Sequence, residues 1–167
     1  LHSFPTRRSS DLLVTEDFRT FSVQQVSGPG SRNKGLAVFP RTLDGRYAAL
    51  SRADRESNAI TWSEDLHHWD SPELLEAPSE PWNVVQLGNC GPPIETDEGW
   101  LVLTHGVGPM RRYSMGALLL DIDKPSRVIG KLTRPLLEPD SVERAGYVPN
   151  VVYSCGALRH HDQLVLP

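Results

Sequence analysis

Trp62-Ser63-Glu64-Asp65-Leu66-His67-His68-Trp69 repeats the pattern of an earlier stretch, Val14-Thr15-Glu16-Asp17-Phe18-Arg19-Thr20-Phe21. Each copy reads apolar, hydroxyl, Glu, Asp, apolar, two polar residues, aromatic, and the copies start 48 positions apart. Leu120-Asp121-Ile122-Asp123 is a shorter echo. Turn signals recur in the same phase: Thr42-Leu43-Asp44-Gly45-Arg46-Tyr47, Thr96-Asp97-Glu98-Gly99-Trp100 and His160-His161-Asp162-Gln163-Leu164, with Gly45 and Gly99 separated by 54 positions. Asp-Gly favours a tight hairpin. A repeat of about 50 residues holding four short strands suits a propeller blade, because one small sheet cannot cover both its faces and radial stacking covers them. In the repeated turn the Asp should accept backbone N–H bonds and the aromatic should pack between blades. The chain therefore predicts an all-β fold, a partial β-propeller holding the end of one blade, two whole blades and the start of another.

Working outward, strands are predicted at Leu13 to Thr15, Gly35 to Phe39, Tyr47 to Ser51 and Ala59 to Trp62. Further strands follow at Trp82 to Leu87, Pro93 to Glu95, Trp100 to Thr104, Ser114 to Leu120, Arg127 to Ile129, Val148 to Ser154 and Gln163 to Pro167. Ser71 to Pro81 reads as a Pro/Glu-rich surface connection. No long stretch keeps a 3.6-residue period, so helix content should be low.

The bulk numbers bound the function. A length of 167 residues suits one domain, and 38% hydrophobic with 23% charged residues is globular composition. The net charge of −4 argues against nucleic acid or an anionic membrane as partner. No apolar run approaches the roughly 20 residues that cross a bilayer, and no signal peptide is visible. Cys90 and Cys155 have no metal-ligand spacing and read as two reduced thiols, which predicts a cytoplasmic protein without a bound metal. Residues 1–12 are expected to be foreign and disordered, because His2 to Leu12 back-translates to a sequencing-adapter-like oligonucleotide. The domain then runs over 13–167, and its end inside Leu164-Val165-Leu166-Pro167 suggests an internal piece of a longer protein.

Gly88 to Tyr113 carries the candidate chemistry. A Gly/Cys/Pro turn leads into the strand from Trp100 to Thr104, and just past the strand come His105 and a Gly/Pro loop bearing Met110, Arg111, Arg112 and Tyr113. Donors on a loop held by a rigid scaffold are what an oxyanion site needs.

Several segments, taken in order, resemble glycoside hydrolase family 130, the β-mannoside phosphorylases and related β-mannosidases. They are Asn33-Lys34-Gly35-Leu36-Ala37-Val38-Phe39-Pro40, Gly45-Arg46-Tyr47 with Arg52, and Gly88-Asn89-Cys90-Gly91-Pro92-Pro93-Ile94-Glu95-Thr96. Gly99-Trp100-Leu101 with His105-Gly106-Val107, then Gly146-Tyr147-Val148-Pro149-Asn150-Val151-Val152, complete the series. The resemblance implies a five-bladed propeller with its site at the central channel. It implies inverting phosphorolysis of a β-mannoside oligosaccharide to α-mannose 1-phosphate, with inorganic phosphate as co-substrate and no cofactor. The family's general-acid Asp would lie upstream of this chain, so no catalytic residue is assigned here. Asp17 and Asp65 belong to the structural turn. Lys34, Arg52, His105 and Tyr113 match the phosphate half of the site. Asn89, Glu95, Arg112 and Asn150 are further candidates for substrate contacts. Many relatives carry an acid where this chain has Gly35.

Two alternatives stay open. A phosphate-independent β-mannoside hydrolase would need a carboxylate base to activate water, and Glu95 is the first to examine. A non-catalytic sugar-binding propeller is the other. The same resemblance leaves room for a homo-oligomer.

Overall fold

The computed structural model describes residues 11–142 and 147–167. Among these residues, thirteen strands fall into four antiparallel sheets in chain order. The first is a hairpin of β1 (Asp11–Val14) and β2 (Ser22–Gln25). The second is a four-stranded meander of β3 (Lys34–Val38), β4 (Tyr47–Arg52), β5 (Asn58–Ser63) and β6 (Glu73–Glu76). The third sets β7 (Gln86–Asn89) and β8 (Ile94–Thr96) side by side along the long β9 (Gly99–Val107), followed by β10 (Tyr113–Leu120) and β11 (Val128–Lys131). The last is a hairpin of β12 (Leu158–His160) and β13 (Gln163–Val165). The end of one blade, two whole blades and the start of another are thus present, as the repeat predicts.

The period of two along each strand explains the stacking. On β4, Ala48 and Leu50 face the next blade, where they meet Trp100, Val102, Leu118 and Leu120 in the largest apolar cluster. Ala49 points the other way and joins Val26 and Trp69 under the first hairpin. On the second blade Leu103 and Met115 turn away from that cluster and meet Val152, Ala157 and Leu166. Both whole blades are therefore buried on both faces, which is why β4 and β9 read as nearly continuous apolar runs. Phe39 and Trp100 meet edge to face at 5.0 Å across the seam, and Trp100 Nε1–H donates to the Ile122 carbonyl.

The repeated turn is the same object twice. Asp17 Oδ1 accepts the N–H of Arg19 and Thr20, each at 2.8 Å. Asp65 Oδ1 accepts those of His67 and His68 at 2.8 and 2.9 Å. The hydroxyls of Thr15 and Ser63 accept the N–H of Phe18 and Leu66, and both of those residues take positive φ. Asp121 accepts from Asp123 and Lys124 in the third copy. The Asp44-Gly45 hairpin has positive φ at both central residues, with Leu43 and Arg46 exchanging backbone bonds.

Several expectations need correction. β9 continues through His105 to Val107, so His105 lies inside a strand rather than beyond one. Its neighbours Gly106 and Gly116 allow this extension: a Cβ on either would fall 2.4–2.5 Å from the Trp82 ring, which lies over them. Trp82 itself sits in a turn before β7, pinned by Nε1–H donation to the Thr133 carbonyl. The Pro/Glu-rich connection contains β6, whose Leu75 reaches the core. Val148 to Ser154 forms only a parallel bridge between Val151 and Tyr113. Asp11 and Leu12 pair with Gln25 and Gln24, and Leu12 packs on the Val26–Trp69 cluster, so the ordered chain begins before Leu13. The rest of the adapter-like stretch, 1–10, and Gly146 of the quoted motifs lie outside the described residues. Among the described residues the only helices are two 3-10 turns, and no helix is long and apolar enough to cross a membrane.

Candidate functional site

Antiparallel meanders bring alternate strand ends together. The start of β3, the end of β4, the end of β9 and the start of β10 all emerge at one end of the two whole blades. There they enclose a cleft of about 670 Å³. Lys34, Arg52, His105 and Tyr113, the four residues expected to bind phosphate, all line it. Asn33, Arg55, Gln86 and Tyr153 complete the wall and were not singled out from sequence. The cleft thus holds three cationic side chains and no carboxylate among its described lining residues.

Arg52 is the centre of this arrangement. It is only 7% exposed, and no carboxylate pairs with it among the described residues. Its Nη2 donates to the Arg55 carbonyl at 2.9 Å and its Nη1 to His105 Nε2 at 3.4 Å. Burial lowers its pKa below the ordinary guanidinium value, but arginine stays charged at any working pH. Its Nε has no hydrogen-bond partner among the described residues. Two glycines make room for it. A Cβ on Gly88 would lie 2.6 Å from Arg52 Cζ and Nε and from His105 Cε1. A Cβ on Gly35 would lie 2.8 Å from Arg52 Cδ, and Gly35 has φ of +88°. The departure from an acid at Gly35 therefore has a local cause: the left-handed backbone and the crowding beneath Arg52 both suit glycine.

His105 sits against Arg52. Burial, then the Arg52 charge, lower its pKa to about 4, so it is neutral near pH 7. A guanidinium can only donate, so Nε2 accepts and the ring proton sits on Nδ1, which faces Cys90 Sγ at 3.8 Å. His105 therefore aims Arg52 instead of offering its own cationic N–H. Desolvation raises the Cys90 thiol to about 11, which keeps it protonated. Tyr113 lies parallel to the imidazole at 6.3 Å and Tyr153 stands edge-on at 5.0 Å.

Arg55 and Asn33 form the outer edge. Both take positive φ, at +76° and +65°. Arg55 Nε donates to Asn33 Oδ1 at 2.9 Å, and Asn33 Nδ2 donates to the Ala53 carbonyl at 2.5 Å. Asp54 caps the turn by accepting the N–H of Glu56 and Ser57.

The four further candidates are dispersed. Asn89 lies behind the cleft, buried, with Nδ2 donating to the Gly91 carbonyl. Asn150 lines an adjoining cavity. Arg112 turns away from the cleft and pairs with Glu138 at 3.0 Å. Glu95 is at the other end of the strands, gripped by Arg41 through Nε and Nη2 at 2.7–3.1 Å. An Arg-paired, exposed carboxylate far from the cleft cannot activate water there, and hydrogen bonding to Arg41 holds its pKa below the usual range.

Stacked blades with a cationic, aromatic-walled cleft at the strand ends define part of a β-propeller. The family model described as beta-1,4-mannooligosaccharide phosphorylase matches residues 4–167. A β-1,2-mannobiose phosphorylase of Listeria innocua is 36% identical over 161 residues, covering 92% of this chain and 45% of the relative. A 1,2-β-oligomannan phosphorylase of Thermoanaerobacter is 39% identical over 126 residues, covering 74% of this chain and 42% of the relative. The solved Listeria innocua β-1,2-mannobiose phosphorylase, in complex with β-1,2-mannobiose, superposes with a TM-score of 0.84 at 33% identity over 95% of this chain and 46% of that one. The chain belongs to glycoside hydrolase family 130, and its fold is part of a five-bladed β-propeller. It spans less than half the length of each of these relatives.

Proposed function

We propose that the protein carrying this chain phosphorolyses β-mannosides with inversion, releasing α-mannose 1-phosphate, and that this chain supplies the phosphate half of the site. The observation that carries the reading is the convergence of Lys34, Arg52 and Arg55 with Tyr113 on one cleft free of carboxylates among its described lining residues. A phosphate nucleophile needs fixed positive charge and directional donors, placed before the reaction begins. Arg52, buried and aimed by the neutral His105, is such a charge. Lys34 and Arg55 at the rim would balance the rest of the dianion. Water activation would instead need a carboxylate base, and Glu95, the candidate for it, is bound elsewhere. This reading assigns no general acid to the residues of this chain, and takes inorganic phosphate as the co-substrate. The two free thiols, Cys90 and Cys155, suit a cytoplasmic setting.

The test is turnover of β-1,2- and β-1,4-manno-oligosaccharides by the whole protein, with and without phosphate. Mannose 1-phosphate should form only when phosphate is present. Mannose release without phosphate overturns the reading in favour of hydrolysis. Sugar binding without any turnover would favour a non-catalytic propeller.

A further inference from the structure

Two polar atoms beside the cleft are buried without a hydrogen-bond partner among the described residues, Arg52 Nε and Asn89 Oδ1. One is a donor and the other an acceptor. Their side chains meet at Gly35. A Cβ on that glycine would lie 2.8 Å from Arg52 Cδ and 3.0 Å from Asn89 Oδ1. Both residues are buried, so bulk solvent serves neither atom. Leaving such a pair unsatisfied is costly, and buried polar atoms without a direct partner are characteristically joined by an ordered water.

The other groups of Asn89 are committed. Its Nδ2 donates to the Gly91 carbonyl at 3.3 Å, and its main chain hydrogen-bonds to the His105 imidazole. The Arg52 guanidinium is likewise anchored at its two outer nitrogens, by the Arg55 carbonyl and by His105 Nε2. Among the described residues, Nε at the root of the fork is the one nitrogen of the three without an anchor.

We propose that Asn89 is a positioning residue for the anion site, its Oδ1 accepting from Arg52 Nε–H through one ordered water beside Gly35. A planar guanidinium matches two oxygens of an anion only when its plane is fixed, and this contact holds the third corner of the plane. Asn89 then lies behind the cleft because it acts through Arg52 and touches no substrate. Gly35 serves the same end, since a side chain there would fill the space the water needs. The inference deepens the reading above and rests on it only for the identity of the anion.

The experiment uses Asn89→Leu and Asn89→Asp in the whole protein. Both lose the Nδ2 bond to Gly91, so a merely structural asparagine predicts the same outcome for the two. Only Asp keeps an acceptor for Arg52. Hydrogen exchange of the Arg52 Nε–H, followed by NMR and assigned by its loss in Arg52→Lys, reads the contact itself. Exchange should quicken by about fivefold or more in Asn89→Leu and stay within about twofold of the wild type in Asn89→Asp. Unchanged exchange in Asn89→Leu, or equal quickening in both variants, overturns the proposal. A wild-type Nε–H that exchanges as fast as that of the exposed Arg111 overturns it without any variant. Kinetics supply the second readout. In Asn89→Leu the KM for phosphate should rise by about fivefold while that for mannobiose stays within about twofold. Equal rises for both substrates make Asn89 structural and overturn the positioning role. If the wild type releases mannose without phosphate, the phosphorolysis reading fails, and the exchange measurement still decides the role of Asn89.

Discussion

The two ends of the blade strands follow opposite rules. At one end the Thr15–Thr20 and Ser63–His68 turns share one backbone frame, each with an Asp accepting two backbone N–H groups. At the other end, corresponding cross-strand pairs are filled differently: Lys34 opposite Arg52 in the first whole blade, Gly88 opposite His105 in the second. The Gly88 vacancy and the His105 acceptor exist for the Arg52 of the neighbouring blade. Repetition marks the end that only has to close a sheet. Broken repetition marks the end where blades cooperate on one charge. Substitutions at the two ends should therefore separate activity from stability.

The largest effect is expected at Arg52. Arg52→Ala should lower kcat/KM for phosphate by roughly 10²–10³-fold, the scale for removing one preorganised donor from a charge-stabilising site. The dependence on mannoside should change far less, and Arg52→Lys should recover little because a point charge does not replace the planar fork. Steady-state kinetics with each substrate varied in turn reads this directly. Equal losses for sugar and phosphate would make Arg52 a structural residue and erase the distinction between the ends.

His105 gives the next effect, and a pH signature. Its folded pKa of about 4 lies below the unfolded value of 6.5. The unfolded chain therefore binds the proton more readily, and this contribution to stability is fully present above about pH 6.5 and falls as pH drops toward 4. The span corresponds to roughly 3 kcal/mol as an order of magnitude. His105→Gln should flatten the slope of denaturant stability between pH 7 and 4. A slope as steep as that of the wild type would show that His105 is not buried neutral. The aspartate turns behave differently. Backbone hydrogen bonds hold Asp17, Asp65 and Asp121 below their ordinary value of 3.8, so their contribution is present above that value and fades only in stronger acid.

Gly88→Ala tests the join between blades. Its Cβ would fall 2.6 Å from Arg52 and His105 atoms, and relieving such overpacking costs about 1–3 kcal/mol. Phosphate affinity should fall with the displaced guanidinium, as measured by calorimetry. Normal affinity with normal stability would mean that Arg52 has room the structure does not show.

The blade phase was legible in the sequence because its causes are local. An Asp that accepts the N–H two residues on, or an Asp-Gly hairpin, needs nothing beyond its own turn. The cleft was legible in part. Lys34, Arg52, His105 and Tyr113 were named together, yet only the resemblance joined them, since no spacing brings residues of different blades to one place. Arg55, Gln86 and Tyr153 were missed for the same reason. Tyr153 lay hidden in an apolar stretch read as a strand, and Arg55 in a charged loop. The left-handed φ of Asn33 and Arg55, which mark the cleft once backbone geometry is visible, leave no sequence signal in non-glycine residues. β6 was hidden by its glutamates and by the prolines that flank it, because only Leu75 of its four residues is buried.

The smallest effect should come from Glu95, and it cuts between mechanisms. A carboxylate base for water would make Glu95→Gln lose activity by orders of magnitude, because amide nitrogen and oxygen cannot accept the proton. Glu95 instead lies near the hairpin end of the strands. Its partner Arg41 packs its guanidinium 4.9 Å from the Trp100 ring centre. Both members of the pair are exposed, and exposed ion pairs contribute little. Glu95→Gln should leave phosphorolysis within about twofold of the wild type, with KM for phosphate unchanged. A collapse of turnover would move chemistry to the end assigned here to scaffold. It would also require the proposed role of the cationic cleft to be reinterpreted, since two sites at opposite ends of one blade cannot act on the same anomeric carbon.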